Sequence, residues 1–169
     1  MPHATMYSLS VPIFNTTLAN LSAIFDKAAA HAEARKIDPA VLLAARLYPD
    51  MLPFTSQVQI ATDGAKGGAA RLAGREPPSF EDNEASFADL KKRVARTREF
   101  IATLAPELFD GAAERAIEIK TRGTMRHFVG LPYLAHFVLP NFFFHVTTAY
   151  DILRHNGVEI GKSDYLGKQ

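Results

Sequence analysis

The stretch Leu139-Pro140-Asn141-Phe142-Phe143-Phe144-His145-Val146-Thr147-Thr148-Ala149-Tyr150-Asp151-Ile152-Leu153-Arg154-His155-Asn156-Gly157 reads as a helix. Asn141 and His145 are four residues apart and share one helical face, which Thr148 and Ile152 continue. Aromatic residues flank His145, so it is expected to point into a helical bundle. Gly157 is a C-terminal stop. The pattern starts this helix at Pro132 and carries it to Asn156, with Pro140 inside it. A proline removes a backbone donor, so either the helix kinks there or it begins properly at Pro140 after a short turn.

Outward from this helix the chain supplies further elements. Just upstream, Ile117, Ile119 and Thr121 alternate with Glu118 and Lys120, Gly123 supplies a turn, and Arg126-His127-Phe128-Val129 follows. That period of two predicts a small β-hairpin between Ala116 and Leu131. Before it, Glu81-Asp82-Asn83-Glu84 opens a helix with Asp82 or Asn83 as cap. Its apolar stripe is Phe87, Leu90, Val94, Ile101 and Leu104, and the run Lys91, Lys92, Arg93, Arg96 and Arg98 reads as a solvated face. From Phe54 to Leu72 another helix runs through Val58, Ile60, Ala61, Ala65 and Ala69 and carries Gly64, Gly67 and Gly68. Each glycine there costs roughly 1 kcal/mol against alanine, so the return is close helix approach or room for a ligand. Asp38-Pro39 starts a short helix, Ala40 to Leu47. Tyr7 to Arg35 is the first long helix, with Val11, Phe14, Leu18, Leu21 and Phe25 at spacings of three and four. The tail from Val158 to Gln169 is expected to be ordered coil packing back through Tyr165 and Leu166. The sum is an all-α chain: a four-helix bundle with a short extra helix and a small β-hairpin insertion before the last helix, in one domain spanning residues 1–169.

Composition narrows the chemistry. The 169 residues carry 19 Lys and Arg against 18 Asp and Glu, a net charge of +1. So even a balance argues against nucleic-acid binding by bulk charge, and no aromatic stacking pattern accompanies the basic run. Cys is absent, which removes disulfides, thiol nucleophiles and cysteine metal sites. No apolar run reaches the ~18 residues needed to cross a bilayer, and the N-terminus lacks the basic start and apolar core of a leader. A cytoplasmic protein with no membrane partner is the expectation. No HExxH, P-loop, GxSxG or dinucleotide fingerprint is present.

The candidate site centres on His145. A buried neutral imidazole needs a donor and an acceptor, and Asp50 and Gln57 are candidates for that partnership. They are seven apart and would share a face if the helix continued back through Pro53; Asp50 equally reads as the cap of that helix. Tyr150 and Arg154, four apart, would make a polar clamp on a carboxylate or phosphate, or else Arg154 ties the helix end to Asp82 or Glu84. Asp63 and Lys66 read as a surface ion pair. The other five histidines suggest no site: His3 is terminal, and His136 lies nine residues before His145, half a turn round the helix. The ligand-binding set is therefore His145, Asn141, Asp50, Gln57, Tyr150 and Arg154, with no metal ligand and no catalytic residue assigned.

The closing segment PNFFFHVTTAYDILRHNGV, with Gly161-Lys162 and Asp164-Tyr165-Leu166-Gly167 after it, resembles the domain of unknown function family nineteen-ninety-three. So do LYPDMLPFTSQVQ, residues 47–59, and Phe80-Glu81-Asp82-Asn83-Glu84. The likeness runs from Tyr7 to Gly167. It implies a place in the DinB/YfiT-like superfamily of four-helix bundles. Many members of that superfamily hold a divalent metal with three His, one on the second helix and an HxxxH pair on the last, and some are thiol-dependent transferases or isomerases. By that resemblance His145 matches the second His of the pair, while the first falls on Asn141, and no His occurs between His31 and His127. One imidazole, one amide and an unassigned carboxylate are a poor set for zinc or nickel, so no cofactor is assigned. Three readings follow: a small organic ligand bound in an interior pocket around His145; a degenerate metal-dependent transferase or isomerase; and a non-catalytic, structural or stress-associated homodimer.

Overall fold

A computed structural model describes residues 4–121 and 123–167; His3 lies outside the described residues. Helix α1 (Val11–Arg35) starts one turn later than the apolar pattern suggests. The preceding turn closes on itself, with Ser10 Oγ donating to Met6 O at 2.6 Å. The helix stops at Lys36, which adopts a left-handed φ of 55°. Helix α2 (Pro39–Ala44) begins as Asp38-Pro39 dictates, the Asp38 carboxylate accepting from the Ala40 N–H at 2.9 Å. Helix α3 (Phe54–Leu72) has the expected bounds.

Helix α4 (Phe87–Ala102) corrects the expected start. Its cap is Ser86, whose Oγ accepts from the Asp89 N–H at 3.1 Å, and not Asp82 or Asn83. The reason is that the acids ahead of it are engaged elsewhere. Arg93, expected on a solvated face, has a side chain only 1% exposed. It donates from Nε to Thr62 Oγ1 at 2.7 Å, from Nη2 to Asp63 at 2.8 Å, and from Nη1 to Glu84 and the Glu81 carbonyl at 3.0 Å each. Asp82 completes the cluster at 3.0 Å. Gln59 Nε2 donates to the other Glu84 oxygen at 2.8 Å. Lys66 joins Asp63 from a side chain 6% exposed, so only the Asp63 end of that pair lies at the surface. Arg93 thus pins the segment before α4 onto α3.

The hairpin forms as its alternation predicts. Strand β1 (Ala116–Thr121) pairs antiparallel with β2 (Thr124–Val129), from Ala116 opposite Val129 to Thr121 opposite Thr124. Gly123 takes a φ of 81°, which only glycine adopts freely. The final helical run is α5 (Gly130–Tyr133), one wide π turn over Leu134–Val138, and α6 (Leu139–His155). Pro140 lies in the first turn of α6, so the ladder is interrupted just where the proline lacks its donor. The tail, expected as coil, forms a short helix, α7 (Lys162–Leu166). The Gly161 N–H donates to Asp164 Oδ2 at 2.9 Å at its start. Tyr165 packs back on Tyr150 with ring centroids 5.8 Å apart, whereas Leu166 stays 50% exposed.

The chain is mostly helical with one small antiparallel sheet. Helix α3 packs on α6 and α4, and α1 packs on α4, α6 and α7. Phe14 meets Phe142 edge to face at 5.0 Å, and Phe25 meets Phe54 the same way at 5.7 Å, all four rings fully buried. The packing of α3 against the π turn that leads into α6 needs Gly68: a Cβ there would lie 2.5 Å from Val138 Cγ1. Among the described residues no helix is long and apolar enough to cross a membrane.

Candidate functional site

His145 lies near the middle of α6 and Gln57 in the first turn of α3. The close α3–α6 packing brings them together, with His145 Nδ1 2.7 Å from Gln57 Oε1. Gln57 is 1% exposed, and its amide nitrogen donates to the Leu52 carbonyl at 3.0 Å. That second bond orients the amide. With Nε2 donating to Leu52, Oε1 faces His145 and can only accept, so Nδ1 carries the proton. The remaining ring nitrogen, Nε2, then holds a lone pair whenever the ring is neutral. Burial pushes the His145 pKa below the ordinary imidazole value, which keeps the ring neutral at pH 7. Among the described residues no protein group bonds Nε2, and no buried side-chain nitrogen or oxygen is left without a partner. Nε2 is therefore open to solvent. The ring of Phe144, 55% exposed, stands perpendicular to the imidazole at 5.2 Å.

Asn141 lies one turn before His145, half-buried, with its amide nitrogen 3.7 Å from where a Cβ on Gly64 would sit. His145, Asn141 and Gly64 are all only half-buried, so they lie at the edge of the α3–α6 contact and not in a closed interior chamber.

Three of the six expected residues lie elsewhere. Asp50 is exposed on the loop before α3. Pro53 stands at the cap position of α3, with no side-chain cap bond, so the helix does not run back to give Asp50 and Gln57 a common face. Gln57 fills the place beside the imidazole for which Asp50 was the other candidate, and the Leu52 carbonyl orients it; no side-chain pattern in the sequence encodes a backbone partner. Arg154 is nine residues past His145, about two and a half turns at ~3.6 residues per turn, and is exposed. It makes no ion pair with Asp82 or Glu84, which belong to Arg93. Tyr150 packs on Tyr165 and borders a separate cleft of about 190 Å³ with Thr147, Asp151 and Lys162. Burial raises the Asp151 pKa, so this cleft carries an acid where a carboxylate- or phosphate-binding clamp was expected.

A metal of the kind found in DinB-like proteins does not fit these residues. The donors are one imidazole, whose Nδ1–H is committed to Gln57, and two amides. Among the described residues no three His, Asp or Glu side chains form a group able to hold an ion.

The chain matches the family described as Domain of unknown function (DUF1993) over residues 6–166 and belongs to it. Its fold is DinB-like. The crystal structure of a DinB family member protein from Shewanella denitrificans is 44% identical, covering 96% of this chain and 92% of that one, with a TM-score of 0.91. No curated protein matches the chain.

Proposed function

We propose that this protein binds a small organic molecule at His145, at the edge of the α3–α6 contact, on a four-helix bundle of the DinB kind. The observation that supports this reading is the fixed tautomer of His145. A buried glutamine amide spends both its oxygen and its nitrogen, at 2.7 and 3.0 Å, on holding one ring nitrogen protonated and the other open. A histidine that merely filled space at a half-exposed position would gain little from such a bond, because water satisfies either tautomer. An open, neutral Nε2 accepts a hydrogen bond from a hydroxyl or N–H of a ligand, or takes its proton. The exposed Phe144 ring beside it offers an apolar face for the rest of the molecule.

The test has two parts. Long-range proton–nitrogen spectra at pH 7.5 are expected to show the Nδ1–H tautomer. A fragment screen by ligand-observed NMR is expected to yield binders that are lost in His145→Ala while the far-UV spectrum and melting temperature are kept. Binders that ignore His145→Ala, or a dominant Nε2–H tautomer, overturn the proposal.

A further inference from the structure

The three glycines in the middle of α3 do different things. At Gly68 a Cβ would lie 2.5 Å from Val138 Cγ1, so close packing requires glycine. At Gly67 a Cβ would lie 2.6 Å from Arg71 Nη1, whose guanidinium folds over it. At Gly64 the one neighbour within 4 Å is the Asn141 amide nitrogen at 3.7 Å, an ordinary contact. An alanine fits there, and would make the better helix. Packing therefore does not explain Gly64. What glycine does at this position is leave the space beside the Asn141 amide unfilled, one turn along from His145.

We propose that Asn141 and Gly64 form the second half of the His145 site, and that its ligand is an uncharged molecule carrying one hydrogen-bond donor for His145 Nε2 and one acceptor for the Asn141 amide, such as an amide, a lactam or a urea. This rests on the small-molecule reading of His145. Among the described residues the Asn141 side chain has no hydrogen-bond partner, and it is not a buried orphan, so like Nε2 it is open to solvent. Side chains four apart on a helix stand about 5–6 Å apart at Cβ, a span that one small planar molecule bridges. The electrical surroundings select a neutral ligand. Burial alone, with no neighbouring charge, shifts His145. Asp63, the nearest acid to Gly64 in α3, is committed to Arg93 and Lys66. Asp50 is on the exposed loop and Arg154 lies across α6. A carboxylate would find no counter-charge beside these residues, and an ammonium would find no acid to pair with.

The experiment titrates the full chain with pyrrolidinone, followed in proton–nitrogen correlation spectra, with acetate and methylammonium as charged controls. Pyrrolidinone is expected to shift the amides of residues 57–64 and 141–145 saturably, and the two ions are not. Gly64→Ala is expected to weaken pyrrolidinone about tenfold, a loss equivalent to one good hydrogen bond, while melting at or above the wild-type temperature. Asn141→Ala is expected to weaken it similarly. Equal affinity for Gly64→Ala, acetate binding as well as pyrrolidinone, or no binding to the wild type overturns the inference. Fragments that need His145 but ignore Gly64 overturn it while leaving the His145 site standing; loss of His145 dependence removes both.

Discussion

Replacing Arg93 with alanine is expected to be the most damaging single substitution outside the apolar core. The guanidinium is 1% exposed and bonds Thr62, Asp63, Glu84 and the Glu81 carbonyl, with Asp82 at 3.0 Å. Removing one partner of a buried ion pair costs about 3–5 kcal/mol, because the other is left charged and unpaired. Here the figure belongs at the low end. Asp63 and Asp82 are 44% and 59% exposed and regain water, so only Glu84, 8% exposed, and the buried Thr62 are stranded. A loss of about 3 kcal/mol corresponds, at roughly 2–4 °C per kcal/mol for a chain of this size, to a melting temperature lower by about 6–12 °C. Thermal melts and urea unfolding followed by circular dichroism measure it. Hydrogen exchange locates it, since Arg93 makes most of the polar bonds that hold the segment from Pro77 to Ser86 over α3, and that segment is expected to lose protection first. Arg93→Lys keeps the charge but not the fork of donors, and is expected to fall between wild type and alanine. A melting temperature for Arg93→Ala within 2 °C of wild type, or unchanged protection of that segment, would refute the reasoning.

Other expectations follow from the same geometry. Gly68→Ala forces a Cβ against Val138 and is expected to cost ~1–3 kcal/mol by overpacking, in contrast to Gly64→Ala; paired thermal melts decide it. Burial raises the Glu84 pKa, but the hydrogen bonds from Gln59 and Arg93 outweigh it and hold the carboxyl below its ordinary value. Its contribution to stability is therefore full above the unfolded pKa of about 4.3 and is lost as pH falls through the lower folded value. Urea midpoints between pH 6 and pH 3 are expected to fall less steeply in Glu84→Gln than in wild type. His145, held low by burial, favours the fold and ligand binding when neutral. Stability is expected to weaken as pH drops below the ordinary value of about 6.5, and ligand binding only as pH falls through the lower value of the folded protein, which an NMR titration of the ring and of a bound fragment reads directly. Gln57→Glu places a carboxylate on the Nδ1–H and is expected to carry the His145 pKa above its ordinary value; a titration curve unmoved by this change would mean the 2.7 Å contact is not kept in solution.

Local periodicity made most of the backbone legible. The bounds of α3, the Asp38-Pro39 start of α2 and the hairpin around Gly123 are set by neighbours within a few residues, so they can be read without knowing what packs on them. The start of α4 is not legible locally, for the opposite reason. Asp82 looks like a cap until Arg93 claims it, together with Glu84, from nine and more residues away. A local sign existed, since Arg93 is three residues past Leu90 and four before Thr97, both buried, and so shares the inner face. A run of basic residues on both sides obscured it.

The site divides in the same way. By itself the sequence determined that Asn141 and His145 share a face and that no thiol is available. Those are matters of composition and helical spacing, and the family resemblance adds that the three histidines it implies are not all present. Only the tertiary structure decided that Gln57 and not Asp50 meets His145, that a backbone carbonyl orients that glutamine, and that Tyr150 and Arg154 lie apart from it. Gln57 and His145 are 88 residues apart in the chain. Their contact depends on how closely α3 and α6 approach and in what register, which the fit of Val138 against Gly68 helps to set. Spacing along one helix cannot specify which residue of another helix lies opposite.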